Sequence, residues 1–359
     1  MDASRPSQPA PPPDLVTNAA GTPPLAAQAG DVSAPLTEVG PPGRTRPRFE
    51  QLAPGPPTWP GWIAIPIGFV AAVAGDAVAE FLLSRRLGGD SPAVGLWVGF
   101  FGALVLVGGL TWVAFASIVR RRMLPRNRYR GPSVLVIFAM IELGLPFLLV
   151  PPLLAVTGGD FSTLTSPGAL TAQLLLTPLT FIALLVVFVA LPRALEGVRL
   201  WQGSASLRQA GIGLLAGVFV WSAAQVFAAL AVFILRMLGI NPEGQQEVTS
   251  MARQLPVPIA VVTIAILAPI AEELFFRGLV FNAWEREYGT RSALIGAALL
   301  FGLAHVPGGT PLAVVVVFLL GLVLTGVYAW TRNLATTIGI HAAFNLASVL
   351  ALFFVTGRA

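Results

Sequence analysis

The chain has 359 residues, of which 55% are hydrophobic and only 11% are charged. This composition excludes an ordinary soluble protein of two or three domains and is typical of integral membrane proteins. All 22 basic residues are arginines, and in a membrane protein such an excess indicates topology more often than nucleic-acid binding, so we expect no nucleic-acid partner.

Residues 1–58 form the first segment, which carries proline clusters such as Pro11-Pro12-Pro13 and no apolar run. Such a segment buries too little surface to offset the entropy of ordering it. We therefore predict a disordered, proline-rich cytoplasmic tail.

Apolar runs of about twenty residues follow from Trp62 onward, long enough to cross a hydrocarbon core of roughly 30 Å as helices. The predicted fold is all-α, a polytopic transmembrane helical bundle of about nine spans after a disordered N-terminal tail. We divide it into N-terminal transmembrane helices at 59–256 and a C-terminal core at 257–356. The predicted spans are 62–83, 94–119, 133–157, 168–192, 211–235, 257–282, 291–306, 311–330 and 334–356.

The arginines are placed unevenly about these spans. The loop between the second and third spans holds six of them, from Arg120 to Arg130, so the positive-inside rule keeps this loop in the cytoplasm. Alternation then puts the N-terminus inside and the C-terminus outside, with fifteen membrane-proximal arginines inside and five outside. The expected location is the cell membrane, crossed several times.

The sixth span holds charged side chains, each of which costs about 2.5–3.5 kcal/mol to insert and normally faces a partner or a wet cavity. Glu273 and Arg277 are four residues apart, which predicts an ion pair on one helix face. Glu272 points about 100° away from Glu273. One acid is therefore predicted to be paired and the other free to react.

Both histidines of the chain lie in later spans, His305 at the end of the seventh and His341 in the ninth, one turn before Asn345. Measured from the cytoplasmic span ends, Glu272 is about 15 Å deep, His305 about 21 Å, His341 about 10 Å and Asn345 about 16 Å. A lone buried histidine is more often structural than functional. Four such residues at similar depth predict a functional site near the middle of the membrane.

Three motifs thus occur in order: Glu272-Glu273-x-x-x-Arg277, Phe301-x-x-x-His305 and His341-x-x-x-Asn345. Together they resemble the CAAX-protease and bacteriocin-processing family, intramembrane endopeptidases related to the eukaryotic type II CAAX prenyl endopeptidase. The resemblance covers residues 257–352, and the first five spans carry no matching motif.

The resemblance implies a role for each of these polar residues in peptide hydrolysis, which needs an activated water and a stabilised oxyanion. Glu272 would be the base, His305 its partner, and His341 with Asn345 the oxyanion donors. The implied substrate is a membrane-embedded or membrane-associated peptide. The remaining implied site residues, which fix geometry and charge, are Glu273 and Arg277.

A metal is the main alternative for the chemistry. Glu272, His305 and His341 are an acceptable three-ligand zinc set with one open position. No H-E-x-x-H motif is present, and we favour a water activated without zinc, leaving the zinc cofactor open.

Other functions were weighed against this one. The chain has no cysteine, no G-x-S-x-G and no G-x-G-D, so thiol, serine and presenilin-like aspartyl proteolysis lack their residues. A secondary transporter could use the polar groups of Asp76, Glu80, Glu142 and Gln225, although no paired repeat of spans is evident. A non-catalytic immunity or scaffold protein is the third hypothesis.

Overall fold

The computed structural model describes residues 52–84, 91–144, 167–198, 203–240, 252–306 and 309–355. The tail up to residue 51 therefore lies outside the described residues, as do the side chains of Asp76 and Glu80. Helix is the one regular secondary structure found in the described ranges.

Nine helices in these ranges correspond one to one with the nine predicted spans, which confirms the all-α membrane fold. Five of them are long and apolar enough to cross a membrane, and four are shorter apolar helices. The helices are α1 (Trp59–Ser84), α2 (Ser91–Arg121), α3 (Val134–Gly144), α4 (Pro167–Leu185, continued by a π-helical segment Val186–Ala190), α5 (Ser204–Met237), α6 (Val257–Tyr288), α7 (Thr290–Ala304), α8 (Pro311–Thr331) and α9 (Leu334–Leu350).

The segment just before α1 is bonded to α2. The backbone N–H of Ala53 donates to the Arg120 carbonyl at 2.8 Å, Arg120 Nε donates to the Pro56 carbonyl at 3.2 Å, and Trp112 Nε1 donates to the Pro57 carbonyl at 2.8 Å. The carbonyls of Pro56 and Pro57 thus find donors on α2. Residues 53–57 lie along the end of α2.

Glycines allow α1 and α2 to approach closely. A Cβ atom at Gly102 would collide with the backbone of Ala72, and one at Gly75 would collide with Gly99. Small residues let helix backbones approach closely in membranes. Close packing matters there because the surrounding lipid is as apolar as the helices, so the hydrophobic effect does not drive them together. The glycine-rich second span is thus explained by packing against α1.

Helix α5 packs on α9 by the same device. A Cβ atom at Gly213 would meet the Thr336 carbonyl, and one at Gly217 would meet the Ile340 carbonyl. The outer face of α5 remains apolar and exposed, with Phe219 76% exposed. Such a face suits contact with lipid.

Helix α6 lies at the centre of the bundle. Every residue from Phe275 to Ala283 is buried, and the ring of Phe275 contacts Phe138 of α3 and Phe181 of α4, at centroid distances of 6.4 and 5.6 Å. Two π-helical segments, Val261–Leu267 and Leu274–Phe281, flank the short α-helical stretch Ala268–Glu273. Wide helical turns of this kind often occur at functional sites.

The loops predicted to lie inside meet at one end of the bundle, which we call the arginine-rich end. Arg121 pairs with Glu287 at 3.2 Å, and Arg332 pairs with Glu285 at 2.6 Å. Arg286 Nη2 donates to the Glu196 carbonyl at 2.8 Å. Hydrogen bonding to Glu285 raises the pKa of Arg332, so this pair is charged at any physiological pH.

This arrangement makes a testable prediction about topology. Reporter fusions after Arg130 and after Arg332 should report the same, cytoplasmic side, because both residues lie at the arginine-rich end. A fusion after Ile240, beyond the far end of α5, should report the opposite side. Finding Arg130 and Ile240 on one side of the membrane would contradict the helix order described here.

Candidate active site

The candidate site begins with an ion pair inside α6. Arg277 Nη1 lies 2.6 Å from Glu273 Oε1, and neither side chain is exposed at all. Arg277 Nη2 also donates to the Gly321 carbonyl of α8 at 3.2 Å, and its guanidinium carbon lies 4.7 Å from the centre of the Phe301 ring of α7. The ion pair predicted from the four-residue spacing is therefore present, and it links α6 to two neighbouring helices.

His341 of α9 joins this pair. Its Nδ1 lies 3.0 Å from Glu273 Oε1, so Glu273 accepts hydrogen bonds from two helices. Its other ring nitrogen, Nε2, lies 3.8 Å from Glu272 Oε2. Because a hydrogen bond to one ring nitrogen fixes the orientation of the imidazole, Glu273 determines where Nε2 points.

Glu272 differs from its neighbour in the chain, as the helix geometry predicts. Its side chain is 20% exposed, and its Oε2 atom has no hydrogen-bond partner among the described residues. A carboxylate oxygen without a donor can accept a proton from a water molecule. Of the two adjacent acids, Glu272 is the more exposed and the one without an arginine partner.

His305 follows the last residue of α7 and contacts an aromatic ring. Its Nδ1 is 2.8 Å from the Phe301 carbonyl, and its ring centre is 4.9 Å from that of Phe301. The Phe301 ring also contacts His341, at 5.6 Å. Both histidines thus contact Phe301, and the structure shows no hydrogen bond or ion pair between His305 and Glu272.

Asn345 lies one turn beyond His341 on α9. Its Nδ2 donates to the Ile264 carbonyl at 2.9 Å, within the first π-helical segment of α6. One amide hydrogen is therefore used to hold α6, and the second hydrogen of the NH₂ group remains for another acceptor.

The three hypothetical zinc ligands do not form a metal site in this arrangement. Across the described residues, no three His, Cys, Asp or Glu side chains lie close enough together to hold a metal ion. Glu272 and His341 lie 3.8 Å apart, but no hydrogen bond or ion pair joins His305 to either of them. The donor set does not fit a three-ligand zinc.

Asn282, five residues beyond Arg277, is a site residue that the motifs did not indicate. Its Nδ2 lies within 3.1 Å of three acceptors: the carbonyls of Arg277 and Gly278 and the hydroxyl of Tyr328 on α8. It holds the wide turn that carries Arg277. The sequence feature that could have indicated Asn282 is its amide side chain within an otherwise apolar run.

The polar groups that suggested a transporter do not form a shared path in the described residues. Gln225 lies on the exposed face of α5, whereas Glu142 of α3 interacts electrostatically with Glu272. Glu142 therefore belongs with the candidate site.

The buried ion pair generates a prediction about stability. Glu273→Gln should lower the free energy of unfolding by about 3–5 kcal/mol, because it leaves the Arg277 charge unpaired in the core. Thermal unfolding of purified protein in detergent measures the effect. Glu272→Gln is the matched control and should unfold close to wild type, because the Glu272 side chain is partly exposed and unpaired. Equal unfolding of both variants would contradict a structural role for the pair.

Two comparisons find relatives of this chain. Residues 254–347 match the family described as type II CAAX prenyl endopeptidase Rce1-like, and all six residues of the predicted set fall in this range. The chain is also 26% identical, over 171 residues, to a Bacillus subtilis (strain 168) protein named "Putative membrane peptidase YdiL", an alignment that covers 47% of this chain and 69% of the relative. No solved structure matches the chain. These matches and the three motifs support a membrane protease of the CAAX-protease and bacteriocin-processing type, with an Rce1-like match at residues 254–347.

Proposed function

We propose that this protein is an intramembrane endopeptidase that hydrolyses a peptide bond of a membrane-associated protein or peptide, with Glu272 as the base that activates water. The observation that carries the proposal is the contrast between two adjacent carboxylates. Glu273 is fully buried and paired with Arg277, whereas the Glu272 side chain is 20% exposed, has no arginine partner and lies 3.8 Å from His341 Nε2. The family match supports the same activity.

The proposed reaction starts with a water molecule hydrogen-bonded to Glu272. The carboxylate accepts one proton while the water oxygen attacks the peptide carbonyl carbon. The carbon–nitrogen bond then breaks, and the proton held by Glu272 passes to the departing amine nitrogen. Water is thereby added across the bond, and Glu272 returns to its ionised form.

The other site residues serve the oxyanion and the geometry. Preorganised donors that meet the developing charge supply much of the rate enhancement of such reactions. In this proposal the Asn345 amide uses its second hydrogen for the oxyanion, and His341 donates from Nε2 when that nitrogen carries a hydrogen in addition to the Nδ1–H that Glu273 accepts. Glu273 and Arg277 hold His341 in position.

His305 has a less direct place in the proposal. It lies at the end of the short helix α7, and its ring contacts Phe301, as that of His341 does. Catalytic hydrogen bonds are often long in the absence of substrate and shorten when substrate binds. We propose that His305 approaches the water or the substrate when a peptide occupies the site.

The proposal includes a location. The protein would lie in the cell membrane with its N-terminus and its arginine-rich end in the cytoplasm, since basic loops are retained on that side. Natural substrates would be bacteriocin-like peptides or membrane-protein tails whose scissile bond reaches the depth of Glu272.

Glu272→Gln tests the function. It keeps the size of the side chain and removes the base, so cleavage should fall by a factor of about a hundred or more, while the amount of membrane-inserted protein should not change. Comparing peptides from cells that express wild type or Glu272→Gln at equal levels measures this, because products missing from the variant identify the substrate. Glu196→Gln, the same change at the arginine-rich end, is the control and should retain every product. Identical peptide profiles for all three proteins would refute the proposal.

Metal analysis provides an independent test. Because the three candidate ligands do not converge, we expect purified active protein to contain far less than about one equivalent of zinc, and cleavage to continue after chelation. About one equivalent in wild type, lost in His305→Ala together with activity, would replace this mechanism with a zinc-dependent one.

A further inference from the structure

Glu142 is an ionisable residue within a membrane helix that the family motifs leave unexplained. It lies in the π-helical segment Met140–Gly144 of α3, and its side chain is half-buried. An ionisable group at this depth is costly and normally has a partner. Among the described residues, none donates a hydrogen bond to the Glu142 carboxylate or forms an ion pair with it.

The packing of α3 on α6 brings Glu142 level with Glu272. The rings of Phe138 and Phe275 stack, with centroids 6.4 Å apart and planes 22° apart. Helix α3 runs away from the arginine-rich end and α6 runs towards it. Glu142 is one turn beyond Phe138, and Glu272 is one turn before Phe275. Both carboxylates therefore lie one turn farther from the arginine-rich end than the stacked rings do, on the sides of α3 and α6 that face each other.

The two carboxylates interact electrostatically, and no cation in the described residues balances Glu142. Arg277 interacts with Glu273 and Glu272 but is held by its ion pair with Glu273. Helix α2, which also packs on this part of α3, carries charge only at its end, at Arg120 and Arg121. The described part of α4 carries no charged residue. His341 of α9 is engaged with Glu273 and Glu272.

The site therefore contains more carboxylates, at Glu142, Glu272 and Glu273, than the single arginine, Arg277, balances. A carboxylate without a cationic partner is stabilised by a cation from any molecule that enters the site. Lysine and arginine side chains are the cations that a peptide substrate brings, and each can bind a carboxylate directly.

We propose that Glu142 determines substrate specificity by binding a lysine or arginine side chain of the substrate close to the scissile bond. This inference rests on the proposed function, since it concerns the peptide that Glu272 cleaves. It also assigns a function to one of the N-terminal helices, α3, because Glu142 lies outside the Rce1-like match at residues 254–347. The family domain supplies the chemistry and α3 supplies the selection.

The first measurement is the sequence around the cleavage sites. The relevant cut sites are those found with wild type and missing with Glu272→Gln. Lysine or arginine should occur within a few residues of these cleaved bonds far more often than at other positions of the same membrane proteins. Cut sites without this enrichment would overturn the inference while leaving the endopeptidase intact. Identical peptide profiles for the two proteins would overturn both.

The second measurement uses Glu142→Gln and two synthetic peptides that span one cut site and differ only in lysine or norleucine at the enriched position. Wild type should prefer the lysine peptide by at least about tenfold in kcat/KM, and Glu142→Gln should lose this preference through a higher KM for the lysine peptide. The ratio of kcat/KM for the two peptides, rather than either rate alone, is the readout, because Glu142 also interacts electrostatically with Glu272. Gln225→Leu, which removes a polar group from the lipid-facing side of α5, should keep the wild-type preference.

The peptide pair separates recognition from folding. If Glu142→Gln lowered cleavage of both peptides equally, Glu142 would be a structural residue and the inference would be wrong. An unchanged preference for lysine would also contradict it, because the cation would then be bound elsewhere.

Discussion

The ion pair between Glu273 and Arg277 is the interaction on which the rest of the site depends. Both side chains are fully buried in a membrane helix, where removing charge from water is expensive unless each group is paired and hydrogen-bonded. Arg277 finds those partners on α7 and α8, and Glu273 finds His341 on α9. The pair therefore fixes how α6 sits among three neighbouring helices, and any change in that packing exposes an unpaired charge.

This constraint explains why adjacent carboxylates behave differently. Glu273 faces the core, where its Oε1 atom contacts both Arg277 and His341, and it cannot leave these partners at low cost. Glu272, turned away by one residue, is 20% exposed and lies 3.8 Å from His341 Nε2. In the proposed mechanism one acid is held rigid and the other reacts, a division of roles that suits a preorganised active site. Glu142 of α3 adds a third carboxylate from outside the Rce1-like match at residues 254–347.

The sequence predicts much of this architecture because the two patterns that indicate it, apolar runs and residue spacing within one helix, are local in the chain. Apolar runs mark the nine helices, and the four-residue spacing marks the ion pair. Relations between helices were harder to infer. Depth along the membrane placed His305 with Glu272, but depth says nothing about direction around a helix axis, and no hydrogen bond or ion pair joins the two residues. The bond from Asn345 to the Ile264 carbonyl depends on a π-helical segment that has no sequence signature. Glu142 could be noticed as polar, but its partner depended on the packing of α3 on α6.

The central claim is that the buried ion pair organises the active site, and replacing both of its members tests this without leaving an unpaired charge in the core. In Glu273→Leu/Arg277→Met no buried charge is left unpaired, and exchanging a buried pair for apolar residues of similar volume is often neutral for stability. We expect the double variant to unfold thermally close to wild type, and to fail to cleave the substrate in reconstituted vesicles because His341 has lost its acceptor. Cleavage at the wild-type rate by a well-folded double variant would contradict the account.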